Sequence, residues 1–174
     1  KIEIHRVLEM VLPFDRRTFF PGVGDEAWAP HKAWLEPDAL DPKLDALLFP
    51  MQSYIVRTAH HTVLIDACVG NDKHRPNRAP WHLKSDAAYM SAFKALGIDP
   101  ADIDYVFCTH LHADHVGWNT RLENGRWVPT FPNARYIFSK KELESWRDVG
   151  HKNFARTPLE DSVLPIVAAG RADL

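Results

Sequence analysis

The sequence predicts an α/β protein in which strands and helices form layers. Short runs of β-branched and aromatic residues recur along the chain, and capped or amphipathic helix patterns lie between them. With 174 residues and 45% hydrophobic content, the chain can bury one sizeable core but is too short for two ordinary domains. We therefore expect residues 1–174 to form a single domain or part of one.

A strand and a long loop are expected first. Residues 1–12 begin with alternating apolar and polar side chains and end at Pro13, which indicates a strand. From Pro13 to Pro50 prolines are frequent, but the interleaved aromatic side chains are atypical of disorder. An ordered loop of this length is expected to line a substrate pocket, to contact another subunit, or to pack on its own domain.

A hairpin and a second loop follow. Met51–Arg57 and Thr62–Ile65 are predicted to pair as antiparallel strands, and Asp66 ends the second of them. The next segment, as far as Lys84, contains glycine, asparagine and proline and is predicted to be a loop. We expect two histidines of this loop to be exposed to solvent rather than to line a pocket: His74 and His82.

A helix and a central strand come next. Ser85 is predicted to cap a helix that stops at Gly97. Tyr105–Cys108 is continuously apolar, which predicts a strand buried on both faces.

The C-terminal part is predicted to alternate turns, strands and helices. Glu123–Gly125 indicates a turn and Arg135–Phe138 a strand. Ser139 and Glu142 have the spacing of a capping box at a helix start. A last helix is predicted over Asp161–Ala169.

Composition argues against several partners. The net charge of −2 provides no field that would attract nucleic acid or an anionic membrane, and no apolar stretch is long enough to span a bilayer. Cys68 and Cys108 each end an apolar run, where a buried free thiol is more usual than a disulfide. Because unpaired cysteines indicate a reducing compartment, we expect a cytoplasmic location.

A dense cluster of potential metal ligands follows the central strand. Three of the 10 histidines and one carboxylate occur within His110–His115. Surface histidines clustered by chance and core histidines satisfied by their neighbours are the alternatives, but a strand end before a glycine is a typical place for a site. Imidazole and carboxylate favour zinc or a similar ion over calcium or magnesium.

The spacing within the cluster favours two adjacent metal positions. His110 and His112 are two residues apart and can point the same way, while Asp114 and His115 can reach a second position. Two metals about 3.5–4 Å apart can lower the pKa of a bridging water towards ~7 and hold the oxygens of a carbonyl or phosphoryl group. The arrangement therefore favours hydrolysis by a metal-bridging hydroxide.

The motif His110-x-His112-x-Asp114-His115 resembles the signature of the metallo-β-lactamase fold superfamily, and Val63–Asp66 is similar to that family's strand ending in a buried aspartate. The resemblance implies that His110 and His112 bind one zinc and that Asp114 and His115 bind the other. It further implies that Asp66 orients ligands and that Asp114 assists proton transfer. The Leu between the first two histidines resembles the spacing in acyl-homoserine-lactone lactonases.

The resemblance also implies that part of the site lies elsewhere. The family completes its two-zinc site with a third His, a bridging Asp and a further His from the C-terminal half, whereas only His151 follows His115 here, in a different context. The family fold is a four-layer αββα sandwich of two similar halves. We therefore expect residues 1–174 to supply one half and to need the missing C-terminal half or a partner chain.

These implications lead to a zinc-dependent hydrolase acting on a lactone or other small-molecule ester. Phosphotriesters, thioesters and β-lactams remain alternative substrates, and a homo-oligomer remains open. The alternative from another class is a catalytically incomplete half-domain that binds little metal and exposes an apolar sheet face. A nuclease is disfavoured by the absence of a basic patch, and a di-iron redox relative by the retention of His112.

Overall fold

A computed structural model describes residues 1–149 and 158–174, which form a mixed sheet with helices. The strands are β1 (Glu3–Asp15), β2 (Leu40–Asp41), β3 (Ala46–Arg57), β4 (Thr62–Ile65), β5 (Tyr105–Phe107), β6 (Thr120–Glu123), β7 (Arg126–Pro129), β8 (Arg135–Ile137) and β9 (Ala172–Asp173). The α-helices are α1 (Arg16–Phe19), α2 (Asp25–Trp28), α3 (Lys32–Leu35), α4 (Ala88–Ala95), α5 (Ala113–Val116), α6 (Lys140–Val149) and α7 (Leu164–Ala168). Three 3-10 turns cover Ala29–His31, Pro100–Asp102 and Gly117–Asn119, and a π-helix covers Leu159–Val163.

The main sheet has seven strands among the described residues. Its order is β1-β3-β4-β5-β8-β9, and β2 pairs with β3. The β3–β4 pair is antiparallel, which confirms the predicted hairpin, whereas β4, β5, β8 and β9 pair in parallel. Because parallel strands end at the same edge, the residues after β4 and β5 are brought together there.

One face of this sheet carries the core. Five strands each contribute a buried residue, and these pack with α4, α6 and α7. The strand residues are Val7, Ile55, Leu64, Val106 and Tyr136. The layered α/β fold class is thereby confirmed.

The opposite face of the sheet is apolar and partly exposed. The strand register aligns Tyr54, Ile65, Phe107 and Ile137 in one row across four strands. Tyr54 is 38% exposed and Phe107 43% exposed. The prediction that Tyr105–Cys108 is buried on both faces is therefore wrong, because among the described residues helices cover only the face that bears Val106.

The chain divides into two compact units, residues 1–9 with 52–174 and residues 10–51. The smaller unit contains α1 to α3 and β2 where a loop was predicted. Within it Phe19 and Phe49 stack, and Phe14 packs edge-to-face against both rings. The Arg16 guanidinium, which is 3% exposed, pairs with the carboxylates of Asp25 and Asp45. These contacts make the segment ordered, as its aromatic content predicts.

Several element ends differ from the predicted ones. β1 passes through Pro13, and α4 begins at Ala88 because the Asp86 carboxylate, not Ser85, accepts a hydrogen bond from the first helical N–H, at 2.9 Å. Gly97 follows α4 with φ +65°, as predicted for a helix stop. The last predicted helix begins earlier, with the π-helix at Leu159.

The cysteines agree with the sequence prediction. Cys68 and Cys108 are buried free thiols, as predicted. No helix in the two described ranges is long and apolar enough to cross a membrane.

Candidate metal centre

Asp66 lies where the parallel strands end and connects β4 to the segment after β5. Its backbone has φ +58°, a conformation that Asp tolerates better than most residues. The Asp66 Oδ1 atom accepts from Thr109 N at 2.8 Å, and Thr109 Oγ1 donates to Asp66 Oδ2 at 2.8 Å. The carboxylate thus anchors residues 109–115, which we call the histidine loop.

The backbone that follows Asp66 lies close to the backbone at the end of the histidine loop and is hydrogen-bonded to it. The Ala67 N–H donates to His115 O and the Gly117 N–H donates to Cys68 O, both at 2.7 Å. A Cβ atom on Gly117 would lie 1.8 Å from the carbonyl oxygen of Val69. Only glycine therefore permits the two backbone segments to approach this closely.

The three imidazoles of the histidine loop form one cluster. The ring centroids of His110 and His112 are 4.5 Å apart, and those of His110 and His115 are 3.9 Å apart. His112 is exposed, whereas His110, Asp114 and His115 are half-buried. The fold therefore brings together all four residues that the sequence identified as metal ligands.

The His115 ring lies between two carboxylates. Its Nδ1 is 2.8 Å from Asp66 Oδ2, and its Nε2 is 3.5 Å from Asp114 Oδ2. Burial lowers the pKa of His115, but the hydrogen bonds and charges of Asp114 and Asp66 outweigh this and raise the pKa to about 9. The two neighbouring carboxylates therefore favour the protonated form of the His115 ring.

Burial and the neighbouring charges act differently on His110 and Asp114. Burial, together with the charges of the other two histidines, lowers the pKa of His110 and favours its neutral form. Burial raises the pKa of Asp114, but hydrogen bonding and charge from His115 outweigh it, so the net pKa is lowered. A neutral imidazole and an ionised carboxylate are the forms that bind metals.

The donor set fits a zinc-type ion. The Thr109 hydroxyl has one proton, which Asp66 accepts, so at 3.1 Å it accepts from His110 Nδ1 and leaves the His110 Nε2 lone pair free. Asp66 holds His115 in the same way through Nδ1, the usual arrangement behind a metal-binding imidazole. The 3.5 Å between His115 Nε2 and Asp114 Oδ2 is close to the ~3.3 Å expected of two ligands around one tetrahedral zinc.

Within residues 1–149 and 158–174, no three His, Cys, Asp or Glu side chains are arranged to hold an ion. The types of donor atom and their orientation thus fit a metal ion. The distances between these side chains in the structure fit a bound ion less well. His151, the one histidine after the motif, lies outside the described residues.

Other aromatic residues near the motif have structural contacts. Trp118 is buried, stacks on Tyr89 with centroids 5.2 Å apart, and donates from Nε1 to Glu9 at 2.7 Å. Trp118 therefore packs in the core. His74 is exposed as predicted, whereas His82 is half-buried and accepts from Arg75 N at 3.0 Å.

Two residues of α6 touch the histidine loop without having been recognised in the sequence. Glu142 Oε1 accepts from Leu111 N at 2.7 Å, and the Trp146 ring lies 5.7 Å from the His112 ring. The predicted capping box is only half formed, because Ser139 Oγ accepts from Glu142 N at 3.4 Å while the Glu142 carboxylate binds the loop. Because Ser139 and Glu142 have the spacing of a capping box, the sequence did not indicate that Glu142 contacts Leu111.

The profile of the metallo-beta-lactamase superfamily matches residues 48–171, which include β4, Asp66 and the whole histidine loop. The chain belongs to the metallo-beta-lactamase superfamily. This membership confirms the resemblance that the two sequence motifs indicated. It also agrees with the mixed sheet and its helices.

Relatives of this metallo-beta-lactamase superfamily chain include lactonases. It is 42% identical over 62 residues to the N-acyl homoserine lactonase AttM of Azorhizobium caulinodans, a match that covers 36% of this chain and 20% of AttM. The same match, at 42% identity, occurs with AttM of Agrobacterium fabrum. The matched stretch is thus about a fifth of the relatives' length.

Solved structures share the fold at low identity. A probable metal-dependent hydrolase from Staphylococcus aureus aligns with TM-score 0.70 and 21% identity over 99% of this chain and 58% of its own. AidC, described as a dizinc quorum-quenching lactonase, aligns with TM-score 0.64 and 18% identity over 99% of this chain and 57% of its own. The chain therefore spans a little over half the length of these two proteins.

Proposed function

We propose that residues 1–174 carry part of the metal centre of a zinc-dependent hydrolase that opens a lactone or a related ester. The observation that carries the proposal is the convergence of His110, His112, Asp114 and His115 where β4 and β5 end, with Asp66 holding His115. The 42% identity to AttM, an N-acyl homoserine lactonase, favours a lactone as the substrate class.

In this proposal His110 and His112 hold one ion, and Asp114 and His115 hold a second. Their exposed or half-buried positions leave the imidazole and carboxylate tips accessible from solvent. Asp66 orients His115 through Nδ1, and Thr109 orients His110 through its hydroxyl. A pair of zinc ions supplies Lewis acidity that polarises a substrate carbonyl and brings the pKa of water towards ~7.

Asp114 also handles a proton in this proposal. As a metal-bound carboxylate, Asp114 would assist proton transfer to or from water during hydrolysis.

The test is hydrolysis by the full-length protein after zinc loading. We expect it to open an N-acyl homoserine lactone and to cleave an aryl ester, and the His110→Ala variant to lose at least about 100-fold in rate. A phosphotriester, a thioester and a β-lactam serve as comparison substrates. If neither the lactone nor the aryl ester is turned over faster than by the His110→Ala variant, the proposal is wrong.

A second candidate is favoured by the open face of the main sheet. Tyr54 and Phe107 are exposed in an apolar row, and the described residues do not complete a three-ligand ion site. We propose that polypeptide outside residues 1–174 covers this face and adds the remaining ligands, so that these residues alone bind metal weakly. Sedimentation and metal analysis of residues 1–174 test this: a monomer with two tightly bound zinc ions would contradict it.

A further inference from the structure

Glu142, near the start of α6, binds the backbone between His110 and His112, which are two of the proposed metal ligands. Leu111 is 2% exposed, so its N–H has no access to water, and Glu142 Oε1 accepts from that N–H at 2.7 Å. The N–H belongs to the peptide plane that joins His110 to Leu111. Fixing it restrains the backbone that aims the His110 ring.

The same oxygen restrains His112 through a second residue. Trp146 Nε1 donates to Glu142 Oε1 at 3.1 Å, one helical turn along α6. The Trp146 ring meets the His112 ring at an interplanar angle of 85°, an edge-to-face contact. The His112 ring, which is exposed, thus has the Trp146 ring on one side in addition to its contact with the His110 ring.

We propose that Glu142 is a positioning residue for the histidine loop. One carboxylate oxygen fixes the Leu111 backbone between the two histidines and holds the Trp146 ring beside His112. The role rests on the metal centre proposed above but is separate from it, since Glu142 need not touch a metal or substrate. Residues that orient metal ligands typically change metal affinity by about 10-fold to 100-fold when they are removed.

The experiment compares four variants of the full-length protein with wild type. Glu142→Ala removes the acceptor, whereas Glu142→Gln retains an oxygen that can accept both N–H groups. Trp146→Phe removes the indole donor and part of the ring that contacts His112, and Glu144→Ala is the matched control, since Glu144 lies exposed on the same helix. Zinc affinity is measured by chelator competition, ligand geometry by the visible absorption of bound Co²⁺, and folding by thermal unfolding of the metal-free protein.

We expect Glu142→Ala to weaken zinc binding by about 10-fold or more and to change the shape of the Co²⁺ absorption bands. Glu142→Gln should restore both to within about threefold of wild type, and Trp146→Phe should show a smaller loss than Glu142→Ala. If Glu142→Ala prevents folding, the spectra of Glu142→Gln and Trp146→Phe still decide, because both retain most of the packing.

Two results would overturn the positioning role. One is a Glu142→Ala protein that matches Glu144→Ala in zinc affinity and Co²⁺ spectrum. The other is a Glu142→Gln protein as defective as Glu142→Ala, which would show that the accepting oxygen is not what matters. A wild-type protein that binds no zinc would instead refute the metal centre itself.

Discussion

The histidine loop and a second polar cluster use charged groups in opposite ways. The second, which we call the buried ion cluster, consists of Lys73, Arg75 and Asp161. Arg75 Nη1 and Nη2 bind the two Asp161 oxygens at 2.7 and 2.9 Å, with Arg75 only 1% exposed. Lys73 Nζ donates to Thr120 Oγ1 at 2.6 Å.

The difference is in where the donor atoms point. The buried ion cluster directs its charges at partners within the chain, and Lys73 also lies 3.6 Å from the Trp127 ring. In the histidine loop, hydrogen bonds occupy Nδ1 of His110 and of His115, while Nε2 of His115 faces Asp114, which is itself a proposed metal ligand. Charged groups that are buried against partners within the chain favour a structural role, whereas accessible groups gathered at a strand edge favour a site.

The largest expected effect is the loss of a buried partner. Asp161→Ala leaves the Arg75 cation buried and unpaired, so we expect the free energy of unfolding to fall by about 3–5 kcal/mol. Urea unfolding measures this. The matched control is Asp173→Ala, which removes the carboxylate partner of Arg135 in an exposed pair and should change stability little. Equal losses in the two variants would contradict a structural role for the buried ion cluster.

Lys73 offers a test through pH. Burial lowers its pKa to about 7 from 10.5, although the negative charge of Asp161 opposes the shift. The unfolded chain therefore binds more protons than the folded protein between about pH 7 and 10.5, so stability should rise with pH in this window. The slope due to Lys73 is at most about 1.4 kcal/mol per pH unit.

Lys73→Met should remove this contribution. Unfolding of wild type and Lys73→Met between pH 7 and 9 measures the difference in slope. A Lys73→Met protein with the same slope as wild type would mean that the lysine remains charged in the folded state throughout this range.

Asp66→Asn addresses the histidine loop itself. An amide holds the His115 Nδ1–H less strongly than a carboxylate, so we expect zinc affinity to fall by about 10-fold with a smaller change in metal-free stability. Asp104→Asn is the matched control at the opposite end of the strands, where Asp104 Oδ2 accepts from Thr62 N at 2.8 Å. Unchanged zinc affinity in Asp66→Asn would show that Asp66 does not orient a metal ligand.

The structural features that were predicted correctly are those that depend on residues close together in the sequence. The hairpin β3–β4, the strand before His110 and the Asn124–Gly125 turn all follow from short-range patterns, and both turn residues have positive φ. The superfamily was recognisable for the same reason, since the residues of its motif lie close together along the histidine loop. Charge and spacing within six residues were enough to locate the cluster.

Contacts between distant segments were not predictable in this way. Residues 67–84 have the composition of an exposed loop, yet Lys73 and Arg75 are buried because Asp161, 86 residues from Arg75 along the chain, pairs with the guanidinium. Glu142 has the spacing of a helix cap but binds Leu111. In both cases a polar residue contacts a partner that is distant in sequence and is brought close only by the tertiary structure. Local propensity does not predict such contacts.

The central claim is that the histidine loop binds zinc, and zinc titration of the metal-free, full-length protein tests it most directly. We predict two zinc ions per wild-type chain, a loss of at least one of them in His110→Ala, and no change in the control His61→Ala, which alters an exposed histidine of the β3–β4 turn. Identical zinc stoichiometry and affinity in wild type and His110→Ala would contradict the claim.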